Sequence, residues 1–259
     1  MNLNDPMLGM LATTVDDLEA LKTASENRLR QLTRVGLDKD GEERGFGLDD
    51  NHPSVKTQRI VLENITIAHD KSVLNLTRAM KAHPLGPWVK SQKGLGEKTV
   101  ARLLASIGDP YWMVRHEKQG DNLVVIEDRP RTVSELWAYC GLDPRNGSAR
   151  KRTKGELANW KGEAKMRCWN VVQPIIKCAD SPYRKMYDEL KESMQGAVYS
   201  EAYEGRMFKN KPIEVGQPLS KGHIEARVQR RLMKEILKDL WVESKRLHDL
   251  ADAEILVAA

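Results

Sequence analysis

Cysteine is scarce: 259 residues hold only Cys140, Cys168 and Cys178, with no CxxC pair and one thiol left over from any pairing. A disulfide scaffold is thereby excluded, and a reducing, cytoplasmic setting is expected. Phenylalanine is scarcer, with two residues, and aromatics as a whole make up 5%. No run is long or apolar enough to cross a bilayer, and the N-terminus lacks the charged-then-apolar layout of a signal peptide, so no membrane partner is expected. The six histidines, His52, His69, His83, His116, His223 and His248, are scattered, and none is paired with cysteine or acid at ligand spacing. No metal site and no cofactor is expected. A phosphate-binding Walker loop is also missing, as is an internal repeat.

What the chain has is charge, unevenly spread. Charged residues are 31% of the total, the mean hydropathy is -0.56 and the hydrophobic fraction is 40%, the profile of a helix-rich protein with long polar faces and enough apolar material for a core. The net charge of +5 conceals eight basic and thirteen acidic side chains over residues 1–70, so the remainder carries +10. Binding to a phosphate backbone is the commonest use of such a basic portion.

The most informative motif is Gly94-Leu95-Gly96 directly before an amphipathic run. A glycine turn that leads into the positive end of a helix dipole is an anion site of helix-hairpin-helix type, fit for a nucleic-acid phosphate. Gly94 and Gly96 permit positive φ or close approach, Leu95 fills the gap between the helices, Lys93, Lys98 and Arg102 add charge, and Thr99 offers a hydroxyl. Between Lys71 and Arg102 seven basic residues face one acid, Glu97. The helix that follows carries Val100, Leu103, Leu104 and Ile107 on one face and closes at Gly108.

Elsewhere, the pattern predicts a helix capped by Thr14 and running to Gly36, a polar loop over 36–53, and a second helix over 55–82. A short helix over 88–92 opens the hairpin motif. Strands are predicted over 111–115 and 123–127, and Thr132 with Glu135 forms a capping box for a helix that ends at Gly141. Helices are expected over 166–177, from the Ser181-Pro182 capping pair onward, and over 223–250, with 195–220 irregular. Residues 145–167 hold eight basic groups against two acids. Such a stretch suits a segment that follows a nucleic-acid backbone.

Read in order, several motifs resemble one family: Asn27-Arg28-Leu29-Arg30, Gly94-Leu95-Gly96 with Thr99, Ile107-Gly108-Asp109, Ala138-Tyr139-Cys140-Gly141-Leu142-Asp143-Pro144, the basic loop at Ser148, Ser181-Pro182-Tyr183-Arg184, and Gly222-His223-Ile224. The family is that of insertion-sequence transposases with a RuvC-like N-terminal catalytic half, a coiled coil, and a C-terminal half with a helix-hairpin-helix and a catalytic serine. The likeness runs from about residue 15 to 250. These enzymes are recombinases that use a structured RNA to choose DNA targets. In the family the RuvC-like half supplies four carboxylates for two magnesium ions. Here residues 1–70 read as helices and loop, so that half is expected to be absent. The resemblance implies Ser148 as candidate nucleophile, with Ala149 standing where the family usually has glycine, and no base nearby.

The fold expected is mostly α: an N-terminal long helical hairpin, coiled-coil-like, over 1–83, then a helix-hairpin-helix-containing domain with a small β-hairpin insertion over 84–259. The function expected is non-enzymatic binding of DNA, or of structured RNA, in the cytoplasm at the nucleoid. Lys93, Gly94, Leu95, Gly96, Lys98, Thr99 and Arg102 hold one backbone, and Arg150, Lys151, Arg152 and Lys154 reach a second strand. Two other readings stand beside it. One is a serine-dependent recombinase that takes its metal carboxylates from another subunit; the other is an interaction protein that forms homo-oligomers through its N-terminal helices.

Overall fold

The computed structural model describes residues 3–145, 148–150, 152, 154–208 and 211–258. Its described residues form eight α-helices and three two-stranded antiparallel ribbons, a mostly α fold with little β structure. The chain divides into two compact units, residues 6–80 and residues 1–5 with 81–259.

The first unit is a helical hairpin. Helix α1 spans Pro6–Thr33 and α2 spans Pro53–Ala82. Helix α1 therefore begins well before Thr14. Pro6, with its fixed φ and missing N–H, suits a first helical position, whereas Thr14 lies inside the helix and donates its hydroxyl to the Met10 carbonyl at 3.0 Å. Gln58 Nε2 donates to the Ser25 carbonyl at 3.5 Å, which sets the start of α2 beside the later turns of α1. Three backbone bonds, from Phe46, Gly47 and Leu48 to the Gln31, Arg34 and Leu32 carbonyls, fold the polar loop back on the end of α1.

In the second unit, α3 (Gly86–Ser91) and α4 (Glu97–Ile107) enclose the glycine turn, and Gly108 closes α4 at φ 67°. Strands β1 (Trp112–Gln119) and β2 (Asn122–Pro130) pair around Gly120 and Asp121, with a bulge between Arg115 and His116. They are longer than the apolar pattern predicts, because most of their side chains face solvent and the ladder continues through charged residues. Helix α5 (Val133–Tyr139) carries the capping box: Glu135 N–H donates to Thr132 Oγ1 at 3.2 Å while the Thr132 amide donates to the Glu135 carboxylate at 2.7 Å. Strands β3 (Pro144–Arg145) and β4 (Ser148–Ala149) form a minimal ribbon, followed by α6 (Gly162–Ile176) and α7 (Pro182–Glu192). A 3-10 turn over Glu201–Tyr203 and a ribbon of β5 (Met207–Phe208) with β6 (Lys211–Pro212) precede α8 (Lys221–Ala258).

Helix α8 is the spine on which α5, α6 and α7 pack, and α4 packs on α6. The apolar residues of α4, Val100, Leu103, Leu104 and Ile107, are all buried, as are Cys168, Val171, Val172 and Ile175 of α6. Truncating one such leucine or isoleucine to alanine costs about 2–5 kcal/mol. The packed α4–α6 pair thus carries the residues at its ends.

Candidate nucleic-acid interface

At one end of this pair lies the glycine elbow. The Leu95 amide donates to the Gln92 carbonyl at 3.1 Å, a turn that takes Gly94 to φ 94°. A β-carbon at Gly94 is barred twice: by that backbone angle, and by Ser181 Oγ, which it would meet at 3.1 Å. The α6–α7 connection thus covers one side of the elbow. Leu95 is buried. Gly96 is the N-cap of α4 in extended conformation, and a β-carbon there would touch only Thr99 Oγ1, at 3.5 Å. Its side of the elbow is open. Lys93 is exposed, and Lys98 and Arg102 are half-buried.

Thr99 departs from expectation. Its hydroxyl donates to the Gly96 carbonyl at 2.9 Å, so the proton offered to a phosphate on the sequence reading closes the elbow instead. Ser181, expected to cap α7, makes no cap bond; its Oγ is buried and has no hydrogen-bond partner among the described residues.

At the other end of α4, about 16 Å away by helix rise, the basic stretch is tied down. Lys161 donates its amide to the Tyr139 carbonyl at 2.8 Å and its Nζ to the Ser106 carbonyl at 3.0 Å. Arg150, expected to reach a strand, turns inward: its guanidinium bonds Asp143 and Asn159, its side chain is 8% exposed, and its carbonyl accepts Lys165 Nζ at 2.9 Å. One carboxylate, Asp143, and one neutral amide, Asn159, hold it within nine residues, so its work is to shape the loop. Arg152 and Lys154 are exposed. Lys151 lies outside the described residues, as does the side chain of Ser148, whose backbone in β4 pairs with Arg145.

Residues without a role in the sequence reading gather beside Arg152. Trp160 lies against Gly141, where φ is 63° and a β-carbon would come within 2.7 Å of the ring. Lys165 Nζ sits 4.7 Å from the Trp160 ring centre and the Arg152 guanidinium 5.8 Å from it. Trp169, two turns into α6, donates Nε1 to Gln229 of α8 at 3.1 Å. Together with Met166 and Met233 these side chains line a cavity of about 580 Å³. Burial, then the charges of Arg230 and Arg150, push the Lys165 ammonium below its ordinary range. The sequence signal for this group is one tryptophan within the basic stretch, at 160, and one just past it, at 169.

The basic face of α8 is largely engaged within the fold. Lys234 lies 3.9 Å from the Trp137 ring centre, and Arg227 packs on the Tyr203 ring at 5.6 Å. Asp109 is buried and structural: its carboxylate accepts the Tyr111 and Trp112 amides at 2.8 and 3.1 Å and Ser244 Oγ at 2.6 Å, and pairs with His248 Nε2 at 2.6 Å. Both the serine and the histidine point at the carboxylate, so this is a bracket between β1 and α8. Among the described residues no three His, Cys, Asp or Glu side chains gather as a metal site, and no helix is long and apolar enough to cross a membrane.

No family model, curated protein or solved structure matches the chain.

Proposed function

We propose that the chain binds nucleic acid through its phosphate backbone, in parallel with the C-terminal half of the transposases it resembles, and acts as a binder rather than a cutter. The observation that carries this reading is the elbow: Gly94 takes the left-handed turn, and the Gly96 side of the α4 N-terminus stays open next to exposed Lys93. The unit that bears it holds 32 basic and 25 acidic side chains, against ten and twelve in residues 6–80. Backbone amides and the helix dipole take one phosphate there, with Lys98 and Arg102 in support, while Arg152 and Lys154 extend the track at the far end of α4. An electrophoretic shift panel of duplex, single-stranded and four-way-junction DNA and structured RNA, run at two salt concentrations, tests it. Binding that fades steeply with salt is expected, and no shift on any probe overturns the reading.

A second property is favoured by one observation. Ile60, Ile67 and Leu74 of α2, spaced by seven, are 60%, 47% and 48% exposed. A heptad stripe is self-complementary, so its natural cover is a second copy of the chain. Sedimentation of the wild type and of a variant with serine at these three positions tests it: a dimer reduced to monomer supports the assignment, and a wild-type monomer at all concentrations removes it.

A further inference from the structure

The cavity beside Arg152 combines features that no phosphate contact needs. It is lined by Trp160, Trp169, Met166 and Met233, an apolar and polarisable set of side chains. Its volume of about 580 Å³ is that of a small-molecule site. Trp169 and Met166 remain 47% and 46% exposed, so the enclosure opens to solvent. The charges select the occupant. Lys165 and Arg152 overlie Trp160, and Arg230 adds positive charge near Lys165, which repels a cationic ligand of the kind that aromatic cages usually take. Glu163 is exposed at the edge and is only loosely engaged, 3.8 Å from Lys161 and 3.9 Å from Arg167. It supplies an acceptor for polar groups on the rim of a planar ring.

A neutral aromatic ring joined to an anion satisfies all of these at once. We infer that the Trp160–Trp169 cavity receives one unpaired nucleobase of a nucleic-acid strand, stacked on Trp169, with its phosphate directed to Arg152 and Lys165. The inference rests on the nucleic-acid reading above and adds to it a preference for strands with a free base. Trp160 holds the fold against Gly141, so Trp169 is the residue to test.

The experiment measures the affinity of wild type, Trp169→Ala and Trp169→Phe for a labelled single-stranded oligonucleotide, the matching duplex, and adenosine monophosphate, with thermal melts to establish that each variant folds. Tryptophan emission is followed in the same titrations. Expected are quenching by the single strand, a roughly fivefold to hundredfold loss of single-strand affinity in Trp169→Ala, near-complete retention in Trp169→Phe, and duplex affinity unchanged within about twofold. Single-strand affinity unaltered in Trp169→Ala, or an equal loss on duplex, overturns the cavity assignment and leaves backbone binding in place. Adenosine monophosphate that binds as tightly as the oligonucleotide overturns the strand as occupant. A wild type that binds neither strand nor duplex removes both readings together.

Discussion

Replacing Gly96 by aspartate separates the fold of the elbow from its use. Gly96 is the α4 N-cap, its backbone is extended at φ -95° and ψ 134°, and a β-carbon meets nothing closer than Thr99 Oγ1 at 3.5 Å. Aspartate is a preferred N-cap, so Gly96→Asp leaves stability unchanged or raises it by a few tenths of a kcal/mol. The same carboxylate stands where a phosphate would rest. Two like charges about 4 Å apart repel by about 1 kcal/mol in bulk water and about 4 kcal/mol at an effective dielectric of 20, and the elbow is covered on one side only. The expected loss therefore lies between about sixfold and a thousandfold in affinity, largest at low salt. Fluorescence anisotropy with a labelled duplex at two salt concentrations, beside thermal melts, reads both quantities. A variant that melts like wild type and binds like wild type would falsify the elbow as the contact. Gly94→Asp is the contrasting control: positive φ and the nearby Ser181 side chain make it destabilising, so any loss of binding there is uninformative.

Three further outcomes follow from the bonding. Ser181→Ala is neutral or stabilising by up to about 1 kcal/mol in chemical denaturation, because the buried Oγ has no partner among the described residues; the usual capping loss of about 0.5–2 kcal/mol would show that the hydroxyl is satisfied. Asp109→Ala strands the Trp112 amide and removes the acceptor shared by Ser244 and His248, while the Tyr111 amide keeps Ser244 Oγ at 3.3 Å, and a destabilisation of about 3 kcal/mol is expected; a change below about 1 kcal/mol contradicts the bracket between β1 and α8. Glu135 is held at a pKa of about 2 by Arg129, then by the Thr132 amide. Its folded value is depressed, so its contribution is present above the ordinary carboxylate range and fades as pH falls toward about 2. The melting difference between wild type and Glu135→Gln accordingly shrinks over that window, and a difference that is constant with pH refutes it.

Much of the fold was legible because its signals are local. The α4 face, its stop at Gly108 and the Thr132–Glu135 box are each complete within a dozen residues, and all stand where the pattern predicts. The start of α1 carries its own signal in Pro6, which outweighs the alternative cap at Thr14. The site was legible only in outline. Sequence names donors but not which are already engaged: Thr99 faces its own turn, and Arg150 is claimed by Asp143 and Asn159 through a loop closure that no periodicity encodes. The tryptophan cavity is assembled from α6, the basic loop and Met233 of α8, contacts that span more than 60 residues.

The central claim is that polyanions are held by main-chain nitrogens and basic side chains at the elbow and the basic loop. The slope of duplex affinity against salt tests it most directly, with wild type measured beside a Lys93→Gln, Lys154→Gln double variant. A logarithmic slope of several units is expected for the wild type, reduced by about two in the variant, since each lysine releases about one counterion. A wild-type slope near zero, or a slope that the double variant leaves intact, contradicts the account.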